Sequence, residues 1–71
     1  MRVGYIKWFS YEKKYGFITS MDESGEWNEI FVHRTALDFH VRPGDFVQFY
    51  INYTPEGPIA TCVHRAKIEV L

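Results

Sequence analysis

No window of this chain repeats apolar residues at the three- and four-residue spacing of an amphipathic helix. Five short runs instead combine β-branched and aromatic residues, a composition typical of strands. These runs span residues 3–10, 15–21, 29–33, 46–53 and 59–70. Turn-forming residues separate them, and only 34–37 suggests a helical turn, which is too short to stand alone. The pattern predicts an all-β chain whose five strands close into a small barrel, because closure removes exposed sheet edges.

Composition limits the class of protein further. With 46% hydrophobic and 24% charged residues, the chain is too apolar to be disordered, and it has no unbroken apolar run long enough to span a bilayer. Residues 1–5 lack the apolar stretch of a secretory signal, and Cys62 has no second cysteine with which to form a disulfide. We therefore expect a single-domain cytoplasmic protein without membrane contact. We expect it to be a monomer, and the sequence leaves a dimer open as the alternative.

The second and third runs separate rings from aliphatic side chains. Side chains alternate between the two faces of a strand, so Tyr15 and Phe17 share one face while Ile18 lies on the other. In the third run Phe31 and His33 likewise lie opposite the aliphatic residues. A single phenylalanine is more often buried than exposed, but both faces of a strand in a small barrel cannot point inward. We therefore expect the aliphatic face to form the core and the rings to lie outside.

Other aromatic residues are harder to place by alternation. Trp8 shares a face with Ile6 if the first run forms a regular strand, and a bulge would move it to the other face. Trp27 lies in a long acidic loop, and the sequence leaves open whether it extends the ring surface or packs over the barrel end. The four aromatic residues of the fourth run are predicted to be mostly packing residues; they are Phe46, Phe49, Tyr50 and Tyr53.

Basic residues flank the predicted ring surface. Rings offer π-faces to unpaired bases, and Lys7, Lys13 and Lys14 offer positive charge to phosphates. Gly16 leaves a gap between two rings through which a base or a neighbouring backbone can approach. The net charge of −1 and the pI near 6.3 are less basic than is typical of nucleic-acid-binding domains, but the acidic residues concentrate at 22–29. The pattern favours a module that binds single-stranded nucleic acid.

Two other functional classes are less consistent with the sequence. A protein-interaction barrel would use the aromatic face as an apolar docking patch, but lysine is depleted from the centre of protein interfaces. An enzyme would need a nucleophile with a neighbouring base, and none is visible. The spacing of the candidate metal ligands matches no standard zinc site; these ligands are His33, His40, Cys62 and His64. We expect no enzymatic activity, no cofactor and no metal.

Several segments resemble bacterial cold-shock proteins in residue type, order and spacing. Residues 4–10, 12–18 and 30–33 resemble the opening strands of that family. Within them, 13–18 and 30–33 are similar to the two ribonucleoprotein motifs, of which the first is a basic residue followed by aromatic-Gly-aromatic. Residues 43–47 and 56–60 resemble the start of the fourth strand and the last turn. The resemblance covers nearly the whole chain.

The resemblance implies an all-β, five-stranded antiparallel OB-fold barrel, with residues 1–71 forming one cold-shock domain. It also implies binding of single-stranded RNA or DNA with low sequence specificity, in the role of an RNA chaperone or a regulator of transcription or translation. The residues that match the family's binding positions are Lys7, Trp8, Tyr15, Phe17, Phe31 and His33. Our predicted interface adds Lys13, Arg34 and Phe39 to these.

The chain also departs from the family pattern. Lys14 replaces the usual glycine, Ser10 the usual asparagine, and Arg34 stands where a further stacking aromatic is common. The connection formed by residues 37–44 is shorter than usual, and Phe39 is matched to the aromatic residue that the family often carries there. Glu56 occupies a turn position that is often basic in the family. The loss of one ring and one cation is expected to weaken the site, although an arginine can itself stack on a base.

Overall fold

The computed structural model of the chain describes residues 1–66, and these form a five-stranded barrel. The strands are β1 (Arg2–Ser10), β2 (Tyr15–Met21), β3 (Trp27–His33), β4 (Phe46–Thr54) and β5 (Gly57–Arg65). One turn of 3-10 helix, Arg34–Ala36, follows β3. The five predicted strands are confirmed, with β3 and β5 each beginning two residues earlier than expected. The fifth strand was predicted to run to residue 70, but β5 ends at Arg65 and Ala66 lies outside it; residues 67–70 of that prediction lie outside the described residues.

The strands close into a ring in the order β1-β2-β3-β5-β4. Four of the pairings are antiparallel, and β3 runs parallel to β5. A closed ring with an odd number of strands cannot alternate direction all the way round, so one parallel pairing is a geometric necessity. The predicted OB-type barrel is confirmed, and its antiparallel character holds everywhere except at this closing pair.

Aliphatic side chains fill the barrel, together with a single phenylalanine. The buried set is Ile6, Ile18, Ile30, Val32, Val41, Val47, Phe49, Ala60 and Val63. The prediction that the aliphatic residues of β2 and β3 point inward is confirmed. Ser20 is buried among them, and its hydroxyl donates a hydrogen bond of 2.8 Å to the carbonyl oxygen of Val3, so this buried polar group is satisfied.

The prediction for the aromatic residues of β4 is correct for Phe49 and wrong for the two tyrosines. Phe49 is fully buried, whereas Tyr50 is 53% exposed and Tyr53 is 76% exposed. Tyr50 follows Phe49 directly and therefore lies on the opposite face of the strand. Tyr53 lies close to the β4–β5 turn, beyond the part of the strand that faces the core.

Candidate functional site

Four rings gather on the outer face of β1, β2 and β3. Trp8 is the cross-strand neighbour of Phe17, which in turn pairs with Phe31. The ring centroids are 5.6 Å apart in the first pair and 5.8 Å apart in the second. Tyr15 lies 5.5 Å from both Trp8 and Phe31. We call these residues, Trp8, Tyr15, Phe17 and Phe31, the ring cluster.

A bulge in β1 brings Trp8 into the ring cluster. The register with β2 shifts between Ile6 and Trp8, which leaves Lys7 as an extra residue. An inserted residue reverses the alternation beyond it, so Ile6 points into the core at 2% exposure while Trp8 is 36% exposed. Of the two possibilities left open by the sequence, the bulged one is correct.

Gly16 lets β1 and β2 approach closely beneath the rings. A Cβ atom at this position would lie 2.7 Å from the Cα atom of Phe9 and would overlap the carbonyl oxygen of Trp8. The absence of a side chain at Gly16 therefore makes room for the β1 backbone. Gly16 supports the ring cluster by fixing how the strand that carries Trp8 packs against β2.

Of the predicted basic residues, Lys7 is ion-paired, whereas Lys13 is exposed in a turn. The Lys7 ammonium forms an ion pair of 2.6 Å with Glu29, and both side chains are about half exposed. Glu29 lies two residues before Phe31 on the same face of β3, so this pair borders the ring cluster. Lys13 is exposed in the β1–β2 turn, where its backbone N–H donates to the Ser10 hydroxyl.

His33 and Arg34 extend the site beyond Tyr15. His33 pairs across the strands with Tyr15, and its Nδ1 accepts a hydrogen bond from the backbone N–H of Thr35. The exposed Arg34 follows, and its backbone N–H donates to the carbonyl of Lys14 at 2.9 Å. This bond connects the start of the 3-10 turn to the β1–β2 turn.

Phe39 lies apart from the ring cluster. It packs half-buried against the core, and the guanidinium of Arg65 lies 4.4 Å from its ring centroid. Within residues 1–66 it makes no ring contact with the ring cluster. The structure thus brings the other predicted site residues to one side of the barrel. Phe39 does not join the ring cluster, but it lines a neighbouring cleft together with Arg34. A binding role for Phe39 stays a prediction.

An apolar cleft of about 390 Å³ extends the ring surface onto β5, where the sequence indicated no site residue. It lies between the rings of Phe17 and Phe31 and residues 56–59, which include Pro58 and Ile59 at the start of β5. Ile59 is the parallel cross-strand neighbour of Phe31. The sequence pattern could not reveal this extension, because it depends on a pairing between strands that are distant in the chain.

Trp27 occupies the same face of β3 as Phe31 but does not join the ring cluster. It is 57% exposed and pairs across the strands with Met21. Glu29 separates it from Phe31 along the strand. Trp27 is therefore an isolated exposed ring on the outer surface.

Comparison with known proteins gives one consistent result. The family model of the 'Cold-shock' DNA-binding domain matches residues 2–66. A cold shock-like protein of Thermotoga maritima is 39% identical over 64 residues, covering 84% of this chain and 91% of the relative. The cold shock-like protein CspI of Escherichia coli is 41% identical, covering 84% and 87%. The probable cold shock protein A of Mycobacterium tuberculosis is 39% identical, covering 89% and 96%.

Among residues 1–66 there is no helix with the length and apolar character needed to cross a membrane. The same residues contain no group of three or more histidine, cysteine or acidic side chains arranged to hold a metal ion.

Proposed function

Since this chain belongs to the cold-shock DNA-binding domain family, we propose that it binds single-stranded RNA or DNA by stacking unpaired bases on the ring cluster. The observation that carries the proposal is the position of the four rings outside a barrel whose interior is already filled. A water-facing sheet surface is normally polar, so partly exposed rings whose neighbouring centroids lie 5.5–6.5 Å apart indicate a binding surface.

Stacking explains why the ligand is an unpaired strand. In a duplex the faces of the bases are covered by neighbouring bases, whereas in a melted strand they are free to contact Trp8 or Phe31. Binding to the melted state alone shifts the melting equilibrium toward it without ATP. This is the physical basis of the RNA-chaperone role that we propose, and a regulator of transcription or translation would use the same binding step.

Low sequence specificity follows from the same chemistry. Every base has a π-face, so stacking on the ring cluster discriminates weakly between bases. Stacking also ignores the 2′-hydroxyl, so RNA and DNA of one sequence are expected to bind alike. The function needs no catalytic step. The cytoplasmic location and the monomeric state that the sequence indicates stay predictions.

Tryptophan fluorescence tests the proposal if the two tryptophans are separated. Trp27→Phe leaves Trp8 as the sole emitter, and Trp8→Phe leaves Trp27 as the matched control. Titration with an unstructured pyrimidine-rich oligonucleotide is expected to change the Trp8 emission in a saturable manner. The emission of Trp27 alone is expected to change far less, because that ring lies outside the ring cluster. Unchanged Trp8 emission at concentrations where the oligonucleotide is bound would contradict the proposal.

A further inference from the structure

A cleft of about 440 Å³ lies next to the ring cluster, on the side of Tyr15. It is lined by Lys14, His33, Arg34, Thr35 and Leu37. Its two basic residues come from separate segments, the β1–β2 turn and the 3-10 turn, which the hydrogen bond between their backbones holds together. Both basic residues are departures from the family pattern, so the positive charge that they bring to the cleft is a departure as well.

Lys14 occupies a backbone conformation that favours glycine. Its φ angle is 67°, in the left-handed region that side chains with a Cβ atom seldom adopt. The family's usual residue at this position is glycine, which adopts that conformation without strain. A lysine accepts the strain, and what it adds at the cleft is a positive charge.

The two cations of the cleft are unneutralised within the part of the chain that the structure describes. Lys7 is ion-paired with Glu29, whereas neither Lys14 nor Arg34 has a carboxylate within salt-bridge distance among residues 1–66. Both side chains are exposed and therefore free to turn toward a ligand. An anion entering the cleft meets positive charge from two sides.

His33 lines the same cleft. Its Nδ1 accepts the Thr35 N–H, so Nε2 is the ring nitrogen that this contact leaves free. The cleft therefore combines an ammonium and a guanidinium, which are charged donors suited to phosphate oxygens, with the edge of an imidazole ring.

We propose that this cleft binds a phosphate group of the single strand whose bases stack on the ring cluster. The inference rests on the proposed function and adds to it a fixed anchoring point for the strand. The guanidinium of Arg34 supplies two parallel N–H donors to the phosphate, and Lys14 supplies a point charge. The phosphate is either an internal diester or a terminal monoester. The monoester carries about −1.5 to −2 charges at neutral pH and gains more from two cations than a diester with a single charge.

The proposal gives Arg34 a different role from stacking on a base, and one substitution separates the two roles. Arg34→Phe keeps a planar stacking group but removes the charge. Lys14→Gly removes the second charge and relieves the backbone strain, so the variant is expected to be at least as stable as the unmodified protein. Arg42→Ala is the matched control, because Arg42 is an exposed cation that lines a different cleft with Asp45 and Arg65.

The experiment measures affinity against salt concentration for pyrimidine oligonucleotides of about six nucleotides, within the site size of one OB fold. Three forms are compared, with a 5′-phosphate, with a 3′-phosphate and with hydroxyl groups at both ends. Arg34→Phe and Lys14→Gly are each expected to make the slope of log affinity against log salt shallower by up to about 0.7, the value for one phosphate contact. Arg42→Ala is expected to keep the slope of the unmodified protein.

The three ligand forms identify the source of the phosphate. A several-fold gain in affinity from one terminal phosphate, lost in Arg34→Phe, assigns the cleft to a strand end. A shallower slope without any effect of terminal phosphates assigns it to an internal diester. If the unmodified protein binds but both cleft variants keep its slope and its response to terminal phosphates, the inference is overturned and the proposed function stands. If the unmodified protein binds none of the three forms, both are overturned.

Discussion

At the scale of single residues, the rings of the ring cluster both pack against one another and present a surface to solvent. Phe17 and Phe31 are half-buried, because each packs edge to face against its neighbour while part of its surface stays open to solvent. Such a ring contributes to the stability of the barrel and still presents a face to a base. A substitution at Phe17 or Phe31 is expected to lower both the stability of the barrel and the affinity for bases, and the relative size of the two losses shows which role dominates.

Phe17→Ala and Phe31→Ala are each expected to weaken oligonucleotide binding by about 1–3 kcal/mol, the contribution of one base stacked on an aromatic side chain. The matched control is Tyr53→Ala, which removes an aromatic ring that is 76% exposed and lies outside the ring cluster. Affinity is measured by fluorescence titration and stability by thermal unfolding. A large loss of thermal stability with unchanged affinity would show that Phe17 and Phe31 serve packing alone.

The sequence predicted most of this residue-level arrangement because the two-residue period of a strand is fixed by the backbone. Ile18 and Ile30 lie inside, so Phe17 and Phe31 must lie outside. Trp8 could not be placed in the same way, because the bulge that turns it outward is a feature of the pairing between β1 and β2. The separation of Phe39 from the ring cluster depends on how its loop packs against β5, which alternation does not address.

At the scale of elements, the site depends on how β1 lies against β2. The bulge next to Lys7 and the close backbone contact at Gly16 occur on neighbouring parts of this strand pair. The bulge turns Trp8 outward, and the contact at Gly16 keeps the backbone of Trp8 close to β2. The ring cluster is therefore sensitive to changes in the strand backbones as well as in the rings.

Gly16→Ala is expected to destabilise the fold by about 1–3 kcal/mol, the usual cost of inserting a methyl group into closely packed surroundings. It is also expected to shift the emission of Trp8, because the new methyl group would push the Trp8 backbone away from β2. Gly25→Ala is the control: it carries the strain of a φ angle of 87°, but nothing lies within 4 Å of the added atom. Stability and Trp8 emission equal to those of the unmodified protein in Gly16→Ala would contradict the account of this contact.

The β2–β3 turn is organised by one carboxylate. The Asp22 Oδ1 atom accepts hydrogen bonds from the Ser24 hydroxyl at 2.6 Å and from the backbone N–H groups of Ser24 and Glu26 at 3.0 Å. The hydrogen bond from the Ser24 side chain, followed by the one from the Glu26 backbone, holds the pKa of Asp22 below its ordinary value of 3.8. This ordered turn leads directly into β3, which begins at Trp27, earlier than residue types alone indicated.

The stabilising effect of Asp22 on the turn is expected to depend on pH in the acid range. Because the pKa is lower in the folded state, the contribution is fully present above the unfolded value near 3.8 and is lost as pH falls through the folded value. A titration of the Asp22 carboxyl followed by NMR is expected to give a pKa below 3.8, and Ser24→Ala is expected to raise it. A pKa at or above 3.8 in the unmodified protein would contradict this account of the turn.

The pairing of the elements was only partly accessible from sequence. Residue type and turn chemistry give the strand boundaries to within a few residues: residues 15–21 were predicted without error, whereas β3 and β5 each begin two residues earlier than expected. The closing pair of β3 and β5 joins residues such as Phe31 and Ile59, and no local pattern specifies a partner at that separation. For the same reason the apolar cleft beside Pro58 appears only in the folded barrel.

At the scale of the whole molecule, the net charge is close to zero, so the positions of the basic residues matter more than their number. Eight basic and nine acidic residues give a net charge of −1, so the protein as a whole does not attract a polyanion. The cations near the ring cluster are few, and Lys7 must exchange its ion pair with Glu29 for a phosphate. Affinity is therefore expected to come mainly from stacking.

The dependence of binding on salt measures this balance. If Lys7, Lys13 or Lys14, and Arg34 neutralise about three phosphates, log affinity is expected to fall with log salt at a slope of roughly −2. Lys7→Ala is expected to make the slope shallower by less than about one unit, since it removes at most one contact. A slope near about −5 would show that phosphate contacts dominate, and a slope near zero would favour a protein-docking role for the ring cluster.

The central claim is that the ring cluster binds bases that are free of a partner. The most direct measurement compares the affinity for an unstructured strand with the affinity for a hairpin stem of matched length and composition, at one salt concentration. The unmodified protein is expected to bind the unstructured strand clearly more tightly, and Phe31→Ala is expected to show a reduced preference because one stacking surface is removed. Equal affinity for the stem and the unstructured strand would contradict the central claim.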